Sequence, residues 1–170
     1  MDLNALRSIS YGLYIISSVK DGRFNGQAAN AVLQVTSEPQ VVVISINKNN
    51  LTHEYIQSSK CFSVSVLNTD ADFKFIGGFG FKAGRDVYKF EGINYKVGVT
   101  GAPIVLDNSS AWLEFEVTGS MDVGTHTLFI GKLVDAEVLN DKEPMTYAYY
   151  HKVVKGKSPK AAPTYIPTDK

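Results

Sequence analysis

The chain has 170 residues, 17 Lys+Arg against 17 Asp+Glu, and 44% hydrophobic residues; this is enough for one domain with a sizeable core, and the neutral balance speaks against a broad nucleic-acid or anionic-membrane surface. A single cysteine excludes a disulfide framework or a cysteine-rich metal site and suits a reducing cytoplasm. No charged-then-apolar pattern follows Met1 and no apolar run reaches the ~20 residues of a membrane span, so a cytoplasmic protein without membrane or nucleic-acid partners is expected.

Tyr14 to Val19 is β-branched, and Asp21-Gly22 after it is a hairpin signal. Residues 27–35 form the next strand candidate. Val41 to Ile46 is a continuous apolar run, which predicts a strand buried on both faces. Thr52 predicts a helix N-cap, with Leu51 and Ile56 spaced as a hydrophobic staple. In Cys61 to Leu67, Phe62, Val64 and Val66 alternate with Cys61, Ser63 and Ser65, which predicts a half-buried strand with Cys61 as a packing residue. A short helix is predicted from near Thr69, with Asp70 and Asp72 in its first turn and a stop at Gly77-Gly78. Ala111 to Val117 alternates like the earlier strand, and Leu128 to Leu139 supplies a longer one. A third helix is predicted between Pro144 and Val154, with proline in its first turn. From Gly156 onward Pro159, Pro163 and Pro167 predict an extended, basic tail outside the core. Many strands with scattered short helices predict a small barrel rather than alternating βαβ units.

Two segments carry the chemistry. Asn47, Lys48, Asn49, Asn50 and Thr52 gather amides, a hydroxyl and a cation at a helix start, as a phosphate requires; a polar turn that only caps the helix would use the same residues. Asn25-Gly26-Gln27-Ala28-Ala29-Asn30-Ala31 has small side chains that let a flat ring approach the backbone, and amides that can satisfy a flavin's pyrimidine edge. A tight turn with close strand packing is the other reading. Together they suit flavin mononucleotide (FMN), an aromatic plate with a phosphate tail. Gly78-Phe79-Gly80-Phe81-Lys82-Ala83 matches the loose dinucleotide fingerprint, but a helix rather than a buried parallel strand precedes it. It reads as a mobile glycine-rich loop over a ligand. His53, His126 and His151 are far apart with no motif grouping them, so no metal site is expected. No Gly-x-Ser-x-Gly elbow or His-Glu-x-x-His helix is present.

Taken in order, Tyr14-Ile15-Ile16 with its Asp-Gly turn, Asn25 to Ala31, Thr36-Ser37-Glu38-Pro39, Val43 to Ile46, Phe62 to Leu67, Lys89-Phe90 and Ala102-Pro103-Ile104 resemble the flavin reductase-like family. The strongest mark is Thr125-His126-Thr127-Leu128-Phe129-Ile130-Gly131-Lys132-Leu133. The resemblance runs from about Leu6 to about Lys155. It implies a mainly β, six-stranded split barrel of Greek-key topology with a few short helices over residues 1–155, and a tail at 156–170. It also implies a homodimer with FMN near the subunit interface and NAD(P)H as substrate. Hydride would pass from nicotinamide C4 to flavin N5, and electrons onward to an acceptor protein or free flavin. Residue by residue, the ring would lie along Gln27, Ala28, Ala29, Asn30 and Ala31 and touch Thr36 and Ser37. The phosphate would meet Ser45 and the loop of Asn47, Lys48, Asn49, Asn50 and Thr52, with help from Arg85 to Lys89. His126 matches the family histidine near the nicotinamide; Gly124-Thr125 stands where many members have Gly-Asp. Within the family, the nearest likeness is to the flavin domain joined to rubredoxin in high-molecular-weight rubredoxins, whose stretch before the rubredoxin module resembles Tyr149 to Tyr165. This makes rubredoxin a candidate acceptor, although the sequence holds no Cys-x-x-Cys pair. The alternatives are an FMN electron carrier or redox module without nicotinamide turnover, and a pyridoxamine-phosphate-oxidase-like barrel, which would want a denser set of Arg and Lys.

Overall fold

A computed structural model describes residues 1–166; Pro167, counted above with the tail, lies outside the described residues. After a 3-10 helix at Leu3–Ser8 come β1 (Tyr14–Lys20), β2 (Arg23–Ala29), β3 (Val32–Ser37), β4 (Gln40–Asn47), α1 (Leu51–Ser59), β5 (Cys61–Leu67) and α2 (Phe73–Gly80). They are followed by β6 (Tyr95–Val97), β7 (Pro103–Val105), β8 (Ser109–Asp122), β9 (His126–Val138) and α3 (Tyr147–Lys152). Asp21 and Gly22 both take positive φ, 50° and 72°, as the tight β1–β2 turn requires.

Seven strands form one antiparallel sheet in the order β2-β1-β5-β8-β9-β4-β3. The expected strand over 27–35 is in fact two strands, β2 and β3, broken at Asn30-Ala31. These two are the opposite ends of the sheet, yet only two residues separate them. The sheet must therefore curl until its ends meet, which makes it a split barrel. Counted as one bent strand, β2–β3 gives the expected six.

The barrel interior is Ile16, Val42, Ile44, Ile46, Ile56, Phe62, Val64, Phe115 and Phe129. A second core, with Leu13, Ile15, Leu67, Ile76, Phe79, Phe90 and Tyr150, joins the outer face of β1 to α2 and α3. Ile15 and Ile16 thus serve opposite faces of one strand, as period 2 dictates. On β4 the run is not buried equally: Val42, Ile44 and Ile46 are buried, while Val41, Val43 and Ser45 are half-buried. On β5 both faces are buried, Ser63 and Ser65 included. The β6–β7 hairpin, which sequence reading missed because each strand has three residues, lies there, and Ser63 Oγ donates to Pro103 O at 2.5 Å.

The helices differ in their ends. Asn50, not Thr52, is the N-cap of α1, and Thr52 lies buried in its first turn. α2 begins later than expected because the carboxylate of Asp72 caps it, accepting from Phe75 N at 2.7 Å, and it runs through Gly77-Gly78 to Gly80. Thr146 caps α3; Pro144 instead bridges to Asn68.

Gly131 tests the interior packing. A Cβ there would lie 2.5 Å from the Phe62 ring and 2.9 Å from Phe115 Cβ, and those two rings stack at 5.0 Å. Gly131→Ala is expected to destabilise the protein by about 1–3 kcal/mol through overpacking. This would be read as a lower denaturant midpoint at unchanged slope.

Candidate functional site

Five parts of the chain converge on one open-mouthed cleft with a cavity volume of about 130 Å³. Its floor is β2, with Asn25, Gln27, Ala28, Ala29 and Asn30. One wall is the end of β4 and the start of α1: Ser45, Asn47, Asn49, Asn50, Leu51 and Thr52. Opposite stand Phe79 to Arg85 and Lys89. Tyr147 and Tyr150 of α3 and the segment around Lys157, Pro159 and Ala161 to Pro163 complete it.

The floor and the α1 wall are cross-linked by side chains. Asn25 Nδ2 donates to Thr52 Oγ1 at 2.8 Å, and Asn50 Nδ2 to Gln27 Oε1 at 3.1 Å. Asn50 makes no side-chain cap, and the first amides of a helix have no intrahelical acceptor. The start of α1 therefore offers N–H groups and the positive end of the helix dipole. Arg85 is tethered beside it: Nη1 donates to Asn49 O at 3.2 Å and Nη2 to Glu54 Oε2 at 3.1 Å, leaving further donors unused. Lys89 Nζ donates to Gly26 O and Phe79 O, both at 2.9 Å, and so clamps β2 to the end of α2. Burial pushes its ammonium down to about 8. Among the described residues, the charged ones lining the cleft are Lys82, Arg85, Lys89 and Lys157, with no carboxylate. Gly84 allows the close approach of the glycine-rich segment, since a Cβ there would lie 2.0 Å from Asn25 Oδ1.

Of the residues singled out in the sequence, Gln27, Ala28, Ala29, Asn30, Ser45, Asn47, Asn49, Asn50, Thr52, Arg85 and Lys89 line this cleft. Ala31, Thr36, Ser37, Lys48 and His126 are not part of its lining. Ala31 sits in the β2–β3 break, where its carbonyl accepts from Ser45 N at 3.2 Å. Thr36 and Ser37 are exposed on the β3–β4 hairpin, and Thr36 Oγ1 donates to Pro39 O. The 47–50 turn sends Lys48 the other way, into an ion pair with Asp122, so the loop's cation is Arg85. His126 is buried at the start of β9, with Nδ1 2.8 Å from Thr125 Oγ1 and Nε2 3.0 Å from the carbonyl of Ala161, which itself lines the cleft. His53 lies outside, its Nε2 2.8 Å from Thr127 Oγ1; burial, then Lys48, holds its pKa below the usual range.

Sequence reading missed Tyr147, Tyr150 and the 157–163 segment as site residues. Trp112 and Tyr150 are buried within the chain. Among the described residues no cluster of three or more His, Cys, Asp or Glu is placed to hold a metal ion.

A family model described as flavin reductase like domain matches residues 6–158. The chain is 48% identical over 166 residues to a ferric-chelate reductase (NAD(P)H) of Archaeoglobus fulgidus, covering 98% of both proteins. It is 52% identical over 165 residues to a high molecular weight rubredoxin of Moorella thermoacetica, covering 97% of this chain and 72% of that one. Among solved structures it is similar to the flavin reductase PheA2, with TM-score 0.72 and 27% identity over 86% of this chain and 93% of that one.

Proposed function

The chain belongs to the flavin reductase-like domain family, and on that premise we propose that it is an NAD(P)H-dependent flavin reductase whose flavin is FMN. The observation that carries this reading is the convergence of the α1 start and the small-residue strand β2 on one cleft. A phosphate fits at α1: free helical amides, no competing side-chain cap, and Arg85 held alongside. A flat ring fits along the edge of β2, the end strand of the sheet, where Ala28 and Ala29 on opposite faces leave the backbone accessible and Gln27 and Asn30 carry amides.

When bound, FMN supplies a two-electron acceptor for hydride from the nicotinamide. The chain's own residues bind and orient. The Asn25–Thr52 and Asn50–Gln27 bonds fix floor and wall relative to each other, so ring and phosphate sites keep one spacing. Phe79 to Arg85 restricts water on the far side. Thr125 and His126 stand at the edge of the cleft, where the imidazole orients the nicotinamide. The Moorella relative's name, high molecular weight rubredoxin, supports a rubredoxin-type protein as onward acceptor; free flavin is the other. Cytoplasmic location rests on the single cysteine; no described helix is long and apolar enough to cross a membrane.

The function is tested by steady-state oxidation of NADH and NADPH with and without added FMN, FAD and riboflavin. FMN-dependent turnover is expected; no oxidation of either nicotinamide with any flavin would defeat the proposal.

Lys89 gives a pH signature. Its pKa is lowered to about 8, and an anionic phosphate nearby favours the charged form. Binding therefore takes up a proton above that pKa, and affinity falls as pH rises past about 8. The phosphate itself is already doubly ionised there, its second pKa being about 6. FMN titrations from neutral to alkaline pH should show this loss in the parent and a flat profile in Lys89→Met.

The partner is a second copy of the chain. Exposed Leu33 and Val35 on the edge strand β3, an edge open to pairing, support an interface there. Sedimentation at micromolar concentration with FMN present should give a dimer; a monomer would count against it.

A further inference from the structure

Residues 156–166 carry no helix or strand but cross the cleft instead of leaving the barrel. They are anchored first on α3. Gly156 N donates to Tyr150 O at 2.9 Å, the Tyr150 hydroxyl donates to Lys157 O at 3.1 Å, and Ser158 meets the hydroxyl of Tyr147. Gly156 is buried, and a Cβ there would lie 2.0 Å from the Tyr150 ring, so this anchor is tight. Beyond it the chain runs past Pro159 and Ala161 to Pro163 along the cleft mouth. There it touches the barrel through two hydrogen bonds: Ala161 O to His126 Nε2 at 3.0 Å, and Thr164 Oγ1 from Asn30 Nδ2 at 2.8 Å. The backbone bonds described within it are local, Ala162 N to Pro159 O at 2.9 Å and Tyr165 N to Ala162 O at 3.1 Å.

A carbonyl can only accept, so the neutral His126 ring carries its proton on Nε2, and Nδ1 accepts from the Thr125 hydroxyl. Both ring nitrogens are then committed. The group on Nε2 is an amide carbonyl, the same acceptor that a nicotinamide carboxamide presents. We infer that residues 157–164 form a displaceable strap whose Ala161 carbonyl occupies, on His126, the position of the nicotinamide carboxamide. This rests on the reading that His126 faces the nicotinamide. The strap and the dinucleotide are competitors for one donor, and NAD(P)H binds only to the fraction of molecules with the strap released. The apparent affinity for NAD(P)H is lowered by that fraction, and the Asn30–Thr164 bond helps to set it without touching the shared donor. The α3 anchor keeps the strap close, so it recloses once the oxidised nicotinamide leaves.

Loss of one neutral hydrogen bond shifts the open–closed balance about two- to tenfold. With FMN-loaded protein, Thr164→Val should lower the half-saturating NADH concentration of anaerobic flavin reduction by about that factor. The limiting rate and FMN occupancy should stay parental, and Thr164→Ser should restore the parental half-saturation. In parallel, NAD⁺, which binds without turnover, should speed amide hydrogen exchange at Ala162 and Tyr165. An unchanged or raised half-saturation in Thr164→Val, or exchange that NAD⁺ slows or leaves alone, would overturn the strap; slowed exchange would make the segment a wall of the nicotinamide site. Absence of reduction by either nicotinamide in the parent would instead defeat the functional reading, and the strap would then be judged on the NAD⁺ exchange alone.

Discussion

Arg85→Ala is expected to weaken FMN binding by about tenfold to a hundredfold, while Lys48→Ala leaves it within about twofold. Charge-assisted hydrogen bonds to a phosphate are worth about 1.5–3 kcal/mol, which sets the first figure. The second follows from geometry. Lys48 and Arg85 belong to the same corner, but Lys48 is spent on Asp122, and Arg85 faces the cleft beside the uncapped start of α1. Neither Arg85 contact is lost without a replacement: Asn49 O is on an exposed residue and Glu54 keeps its partner Lys20 at 2.5 Å. The fold should therefore tolerate the change. Titration with FMN and with riboflavin separates phosphate from ring. Riboflavin should bind both variants like the parent. Equal FMN affinity in Arg85→Ala and the parent would place the phosphate elsewhere.

His126→Ala is expected to slow anaerobic reduction of bound flavin by NADH, or to raise the NADH concentration it needs, by about tenfold, the worth of one well-placed donor. FMN occupancy should stay near parental, because the proposed phosphate and ring contacts belong to β2, α1 and Arg85. His126 is positioned by its Asn47 pairing at the start of β9 and by the Thr125 hydroxyl, so the ring is aimed without relying on the nicotinamide. Stopped-flow bleaching with occupancy measured on the same sample decides it. Parental rate and parental NADH dependence would remove the role. Loss of FMN would make His126 a folding or flavin-binding residue.

Tyr14 to Val19 and Val41 to Ile46 were legible as strands from β-branched and apolar residues, but the alternation of Ala111 to Val117 did not give its burial: Trp112, Glu114 and Phe115 are buried, while Leu113 and Val117 are half-buried. The break at Asn30-Ala31 was not legible, because both halves of residues 27–35 are individually good strands and only the curl of the sheet separates them. Donor density at Asn47 to Thr52 was legible, but the direction of Lys48 was not: a turn's residue types do not say which side each faces, and Asp122 is 74 positions away in sequence. The glycine-rich segment read as a mobile loop is in part helix: Gly78 to Gly80 end α2, and only the stretch after it is loop, held close to β2 where Gly84 packs against Asn25. The tail gave no readable signal. Proline and lysine predict solvent exposure, and its docking depends on individual hydrogen bonds to Tyr147, Tyr150, His126 and Asn30 that no periodicity encodes.

The most direct measurement is anaerobic single-turnover reduction of the FMN-loaded protein by NADH and NADPH, each with hydrogen or deuterium at C4. The account predicts that the bound flavin bleaches with at least one of the two nicotinamides, and that deuterium slows the bleaching, since the bond broken is the C4 bond beside the ring. A yellow protein that neither nicotinamide bleaches would contradict the account and leave an FMN carrier in place of a reductase.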